Sequence, residues 1–299
     1  MSRIPVIFDT DICDDIDDLF ALLCCVFHPN IDLKAVTVVH ADVMSKARYV
    51  RKVLDMVGAR EVPVGVGKPI SLARLLKNQY HPHIAPDTGY DRFAADMPIG
   101  NYPGALEVMR QVLDASEEPV AVICEGAMTN AAELAVEYPA LAHRVRGFFV
   151  MGGEVEYMHP EHNIMCDPEA SEVVFNCGAP VFAAPFTPTK KLRLTEERLR
   201  AAFDDMTNPV HRVIRESADL WWGRDPVLYD IAPVFYLTDP ELFETRECSL
   251  HTELEGRFTR GYTVADYKAP VKNCAVALDL QEEELLDKCV GLLKQAKGK

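Results

Sequence analysis

The chain has no Cys-x-x-Cys pair, no apolar run long enough to span a bilayer and no excess of basic residues. Each absence removes a class of function. With 31 Lys and Arg against 46 Asp and Glu, the formal net charge is −15. That argues against nucleic acid or an anionic membrane as partner, since both reward clustered positive charge. The nine cysteines, at positions 13, 24, 25, 124, 166, 177, 248, 274 and 289, are odd in number and mostly sit inside apolar runs. They read as buried free thiols in a reducing compartment, not as a disulfide or zinc framework. A signal-peptide apolar region is also lacking before the first strand-like run at residue 4. The expectation is a soluble cytoplasmic protein. No repeat, low-complexity tract or linker-like stretch divides the chain, so residues 1–299 are expected to form one domain. At 48% hydrophobic residues it has ample material for a large core.

Strand-like and helix-like runs alternate. Ile4 to Phe8 is followed by an apolar helical run, Leu19 to Phe27. Leu33 to Val39 precedes a helix over Lys46 to Val57, spaced by Val50, Val53, Leu54 and Val57. Further strands are expected at Val62 to Val66, Val120 to Cys124, Phe148 to Met151 and Val181 to Ala184. Helices are expected at 103–114, Asn130 to Glu137, Glu169 to Cys177 and Glu282 to Lys297. This order predicts an α/β fold: a mostly parallel, Rossmann-like central sheet with helices on both faces. Glu253 to Tyr267 reads as a small late β-hairpin turning around Thr259-Arg260-Gly261. Residues 67–102 and 154–166 show no clear period and read as binding loops or lids.

The most informative stretch is Val6 to Asp18. Asp9, Asp11, Asp14, Asp15, Asp17 and Asp18 fall within ten residues, directly after a strand and directly before a helix. Helix N-termini favour one or two acids as cap and dipole partner. Six crowded together repel one another unless a cation neutralises them, and a hard divalent metal is the simplest such cation. Four other polar groups stand where strands should end. These are Gly126 to Asn130, Met151 to Glu154, Glu161 to Ala170, and Leu228 to Pro233 with Asp230 inside it. Asp167 before Pro168 reads as a helix cap. Glu161 and Asn163, in a polar loop, read as functional, while Asp230 is open between a cap and a ligand.

Taken in order, these blocks resemble the inosine–uridine-preferring nucleoside hydrolase family. Its Asp-x-Asp and Asp-Asp signature is matched by Asp9, Asp11, Asp17 and Asp18, and its Leu-Thr-Asn segment by Met128-Thr129-Asn130. Met151 to Gly153 and Glu161 to Ala170 match the third block. Tyr229-Asp230-Ile231 matches the fourth imperfectly, and Gly261 to Asp266 resembles the late hairpin. The resemblance implies a calcium ion held by Asp11, Asp18, the main-chain carbonyl of Thr129, and Asp230, an oxygen-only set that suits Ca²⁺. It implies Asp9 as a residue orienting its neighbours, and Asp11 as the base taking a proton from a water polarised by the ion. Asp17, Asp42, Glu161 and Asn163 would bond the ribose hydroxyls. The products would be free base and ribose, the setting nucleobase salvage, and the assembly a homodimer or homotetramer.

Some positions depart from the family pattern. The spacing from Asp11 to Asp17-Asp18 is two residues longer than usual, with Asp14 and Asp15 in the extra loop, so either Asp15 or Asp17 is the ribose ligand. Cys13 replaces the loop Gly. The family His that can protonate the departing base is Tyr229 here, a poorer acid with an ordinary pKa near ~10. His81, His83 and His162 are alternative donors, and Trp221-Trp222 offers a base-stacking surface or a core anchor. Two other readings compete. One is a haloacid-dehalogenase-type phosphatase with Asp9 as nucleophile, for which no late acidic pair is found. The other is a ribose- and metal-binding homologue without turnover. An EF-hand fails because its sixth and twelfth positions are Asp14 and Phe20. The nucleobase is not legible.

Overall fold

Val6, Ile7 and Phe8 are fully buried, and they point alternately to the two faces of the sheet, as a strand's period of two requires. Both faces are apolar. Val6 and Phe8 join a core with helices Asp17–Phe27, Val43–Val57, Pro209–Leu220, Ile231–Thr238 and Glu282–Gln295. Ile7 joins a second core with helices Ala105–Ala115, Thr129–Glu137 and Pro168–Asn176. A strand buried on both faces reads as a continuous apolar run, which is why Ile4 to Phe8 was legible.

The computed structural model describes residues 3–72 and 90–298. Its strands are β1 (Ile4–Thr10), β2 (Ile31–Val38), β3 (Val64–Val66), β4 (Val120–Cys124), β5 (Val145–Met151), β6 (Val181–Ala184), β7 (Phe243–Thr252), β8 (Thr263–Asp266) and β9 (Cys274–Leu280). They form one sheet in the order β3-β2-β1-β4-β5-β6-β9-β7-β8. Every pairing from β3 to β9 is parallel, while β7 pairs antiparallel with both β9 and β8. This is the mostly parallel α/β fold that the alternation predicts. Helix Val43–Val57 shows how the pieces are held. Asp42 caps its start, Gly58 ends it at φ 82°, and Val50, Val53, Leu54 and Val57 are buried. Each such side chain contributes about 1.5–3 kcal/mol by burial, so Leu54→Ala would cost roughly 2–5 kcal/mol.

The structure differs from expectation in three places. The late hairpin begins earlier: Ser249 to Thr252 of β7 pair with Thr263 to Asp266 of β8, and 253–262 is the loop between them. Gly261 takes φ 86° there, and its N–H donates to the Glu253 carbonyl. Helices Glu196–Ala202 and Pro209–Leu220, with β7 and β9, lie outside the predicted elements. The exposed Glu244, Thr245, Arg246 and Glu247 hide the strand character of β7. The third is a five-residue helix, His162–Cys166, within a predicted loop. Among the described residues no helix is long and apolar enough to cross a membrane. All nine cysteines are free thiols, and eight are buried.

Candidate active site

Between β1 and β4 the strand order reverses, since β2 and β3 lie on one side of β1 and β4 on the other. Open α/β sheets bind ligands at such a switch point, beyond the carboxyl ends of the strands. Two loops meet there, the acidic loop after β1 and Glu125 to Met128 after β4. Gly126 permits the approach, because a Cβ there would lie 2.7 Å from Cβ and Cγ of Asp11. The Glu125 N–H donates to the Asp9 carbonyl at 2.8 Å. Asp9 ties three elements together: its Oδ1 accepts from Thr37 Oγ1 at 2.6 Å and from Asn130 Nδ2 at 2.8 Å.

The acidic loop is held from below by Lys46, which is 2% exposed. Its Nζ donates to the Asp11 carbonyl at 2.6 Å and to Asp14 Oδ1 at 2.7 Å. Burial works against the ammonium charge, but Asp14 and Asp11 outweigh it and raise the Lys46 pKa. Thr10 Oγ1 donates to Asp18 Oδ1. Asp17 and Asp18 open helix Asp17–Phe27, and their carboxyl oxygens and that of Asp230 lie within 4.8 Å of one another. Asp230 stands at the cap position of helix Ile231–Thr238 yet accepts no capping bond. Its carboxyl oxygen stands in the acid group instead.

The electrostatic consequence is severe. Burial, then the charge of Asp14, pushes Asp11 well above the usual carboxylate range. Asp18 is raised by burial, then by Asp11 and Asp17; Asp230 by burial, then by Asp17 and Asp18. Glu125, 1% exposed, is raised by burial and then by Asp18, Asp17 and Asp11. Among the described residues, Asp9 Oδ2, Asp11 Oδ2, Asp14 Oδ2 and both Glu125 carboxyl oxygens are buried without a hydrogen-bond partner. An unsatisfied buried polar atom is costly, and several acceptors in one place with no donor fit a cation. The donors of the acid group are all oxygen, the chemistry of a hard divalent ion.

Above the acids lies a cleft of about 330 Å³, near the lower bound of small-molecule sites at about 300–1,000 Å³. Its floor is Asp11, Asp14, Asp15, Asp17, Asp18, Glu125 and Asp230. Its walls include Glu161, Asn163, His162, His159, Phe186, Tyr229 and Trp222. Tyr229 stacks on Phe186 with ring centroids 5.7 Å apart, and burial, then Asp17 and Asp15, push its phenol up to about 12. An acidic floor with an aromatic wall suits a ligand that is polyhydroxylated at one end and flat at the other.

The model of the inosine-uridine preferring nucleoside hydrolase family matches residues 6–287. The chain belongs to that family. It is therefore a hydrolase of N-glycosyl bonds. A pyrimidine-specific ribonucleoside hydrolase RihA from Citrobacter koseri is 30% identical over 309 residues, covering 95% of this chain and 96% of the relative. Among solved structures, a purine-preferring ribonucleoside hydrolase from Gardnerella vaginalis superposes with TM-score 0.82 at 22% identity, over 97% of this chain and 98% of that one. A plant nucleoside hydrolase gives 0.84 at 20% identity, over 98% and 99%. At those identities the superpositions speak for the fold alone.

Against the family pattern, the structure gathers Asp11, Asp15, Asp17, Asp18, Glu161, Asn163, His162, Tyr229 and Asp230 around one cleft. Both Asp15 and Asp17 line it, so the choice between them stays open. Asp17 belongs to the carboxylate group with Asp18 and Asp230, while Asp15 Oδ1 accepts from the Ile16 N–H at 2.6 Å. Cys13, in place of a loop Gly, adopts φ 83°, a conformation that favours glycine. Trp222 lines the cleft at 69% exposure, whereas Trp221 packs against the core.

The remaining expected positions make other contacts. The Thr129 side chain is not among the cleft-lining groups: the residue begins helix Thr129–Glu137 and its hydroxyl donates to Asp167 Oδ2 at 2.7 Å. That is a contact of the side chain and not of the main-chain carbonyl that the resemblance names as ligand. The residue of that loop that faces the acids is Glu125, which directly follows β4. Asp42 does not line the cleft either, because its carboxylate caps helix Val43–Val57 through the Ser45 N–H and hydroxyl. Glu161 and Asn163 do carry structural duties. Glu161 accepts from the N–H groups of Gly153, Asn163 and Ile164, and Asn163 Nδ2 donates to the Glu125 and Met151 carbonyls. A five-residue helix is too short to show a period, so its cap was invisible. His81 and His83 lie outside the described residues. Sequence reasoning missed Glu125 and Lys46. A lone Glu between Cys124 and Gly126, at the end of a strand buried throughout, was the available signal for the first.

Proposed function

We propose that this protein hydrolyses ribonucleosides to free base and ribose, using a calcium ion held by Asp11, Asp18, Asp230 and Glu125. The observation that carries this reading is the set of buried, donorless carboxylate oxygens at the β1–β4 switch point, directly under an aromatic-walled cleft. Bound there, calcium would neutralise the crowded acids and supply Lewis acidity to the attacking water and the ribose diol.

The chain's own groups do the rest. Asp11 takes the proton of the attacking water, its Oδ2 having no other partner among the described residues. One of the pair Asp15 and Asp17 accepts hydrogen bonds from the ribose hydroxyls. The surrounding carboxylates favour the positive charge that develops on the sugar as the glycosidic bond breaks. Asp9 accepts from Thr37 and Asn130, and so keeps the strand end from which Asp11 projects in register. Phe186, Tyr229 and Trp222 offer flat faces to the base. Stacking accepts every base, so recognition should rest on the sugar. The RihA relative is named pyrimidine-specific and the Gardnerella neighbour purine-preferring; here we propose that several bases are accepted.

The test is release of reducing sugar from a panel of ribonucleosides with calcium and with chelator. Several ribonucleosides should be cleaved, and their 2′-deoxy counterparts should fall by about 10⁴ in kcat/KM, because buried acceptors lose their donor. Equal rates on the two sugars would defeat the proposal. A second reading, a homologue with weak turnover, is favoured by the Tyr229 phenol at about 12, a poor acid for the departing base. Fast cleavage of nitrophenyl riboside beside slow cleavage of inosine and uridine would identify that limit.

A further inference from the structure

Beside the oxygen cluster stands a group of different chemistry. His40, in the loop after β2, meets His162 and Cys166 at the two ends of helix His162–Cys166. One donor atom from each lies within 4.8 Å of the other two. Cys166 Sγ is 3.7 Å from His40 Nε2 and 3.6 Å from His162 Nε2. A tetrahedral ion bonded at about 2.3 Å to sulfur and about 2.05 Å to nitrogen sets those atoms about 3.6 Å apart. Both observed separations match that edge.

The surroundings support a built site. His40 is held at φ 65°, a conformation rarely taken by a residue with a side chain, and its N–H donates to the Lys68 carbonyl at 3.0 Å. Cys166 packs in a small buried group with Val39 and Ala127, while His162 is exposed at the cleft wall and leaves an entry path. His162 also lies within 4.8 Å of carboxyl oxygens of Asp11 and Asp14, so the open side faces negative charge.

We propose that His40, His162 and Cys166 form a second metal site, for a borderline-soft divalent cation such as Zn²⁺, separate from the all-oxygen site of the acid cluster. Two imidazoles and a thiolate select zinc or cobalt over calcium, which prefers six to eight oxygens. Three protein ligands leave a fourth position for solvent, facing the acidic loop.

The test uses the full chain saturated with calcium and titrated with Co²⁺ as a spectroscopic probe. One equivalent should give tetrahedral d–d bands and a near-ultraviolet thiolate-to-cobalt charge-transfer band, both removed by Zn²⁺. Cys166→Ser should abolish the charge-transfer band. His162→Gln, at an exposed position that spares the core, should weaken Co²⁺ binding at least tenfold. Absence of the band in the calcium-loaded protein, or its survival in Cys166→Ser, overturns the proposal. Ribose release is measured separately on the calcium-loaded protein without cobalt, so failure there bears on the hydrolase reading and not on this site.

Discussion

Removing the divalent ion should turn the acidic floor into a source of instability whose size depends on pH. Asp9, Asp11, Asp18, Glu125 and Asp230 all hold their protons above the usual carboxylate range, burial being the first cause in each. Asp9 is pushed to about 7 from 3.8, burial outweighing the Thr37 and Asn130 hydrogen bonds. That difference corresponds to about 4 kcal/mol at 1.36 kcal/mol per pH unit. The sign follows from the protons bound. Between about pH 4 and pH 7 the metal-free native chain keeps a proton on Asp9 that the unfolded chain has released, so stability falls as pH rises. The loss is complete above about 7. With an unfolding entropy of about 2.1 cal/mol/K per residue, 4 kcal/mol is about 6 °C in Tm for a chain of this length. Calcium requires the ionised carboxylates, so its stabilisation should grow as pH rises. Scanning calorimetry with calcium and with chelator, from about pH 5 to about pH 8, reads both effects. The gap between the two Tm values should widen with pH while the chelated Tm declines. A constant gap, or a chelated Tm that rises with pH, would refute the reasoning.

Other outcomes follow from individual side chains. Asp11→Asn should lower kcat by about 10²–10⁴ with KM little changed, because an amide cannot accept the water's proton; calcium occupancy is measured on the same sample by calorimetric titration. Glu125→Gln removes a carboxylate that would ionise to hold the cation, so it should weaken calcium binding. An unchanged calcium affinity would exclude Glu125 from the cage. Asp42→Ala should cost about 1 kcal/mol in urea unfolding through loss of the helix cap, with KM for ribonucleosides unaltered. A large rise in KM would restore Asp42 to the ribose.

Much of the scaffold was legible because it depends on local patterns. Continuous apolar runs marked the buried parallel strands, and the spacing of Val50, Val53, Leu54 and Val57 marked one helix face. Six acids after the first strand placed the site at the sheet's carboxyl edge. What stayed hidden was of two kinds. Elements without a clean period, such as charged β7 and the short helix after Glu161, carry no signal until their neighbours are in place. Polar residues at element ends are ambiguous for a different reason: cap and ligand use the same residue types. The sequence by itself determined the alternating α/β order and the concentration of acid beyond β1. Only the tertiary structure decided which acids converge. It turned Asp42 to the Ser45 N–H, aimed Asp230 at Asp17 and Asp18, and brought Glu125 and Lys46 against the acidic loop. Those assignments depend on distances between residues far apart in the chain, and residue order alone does not contain them.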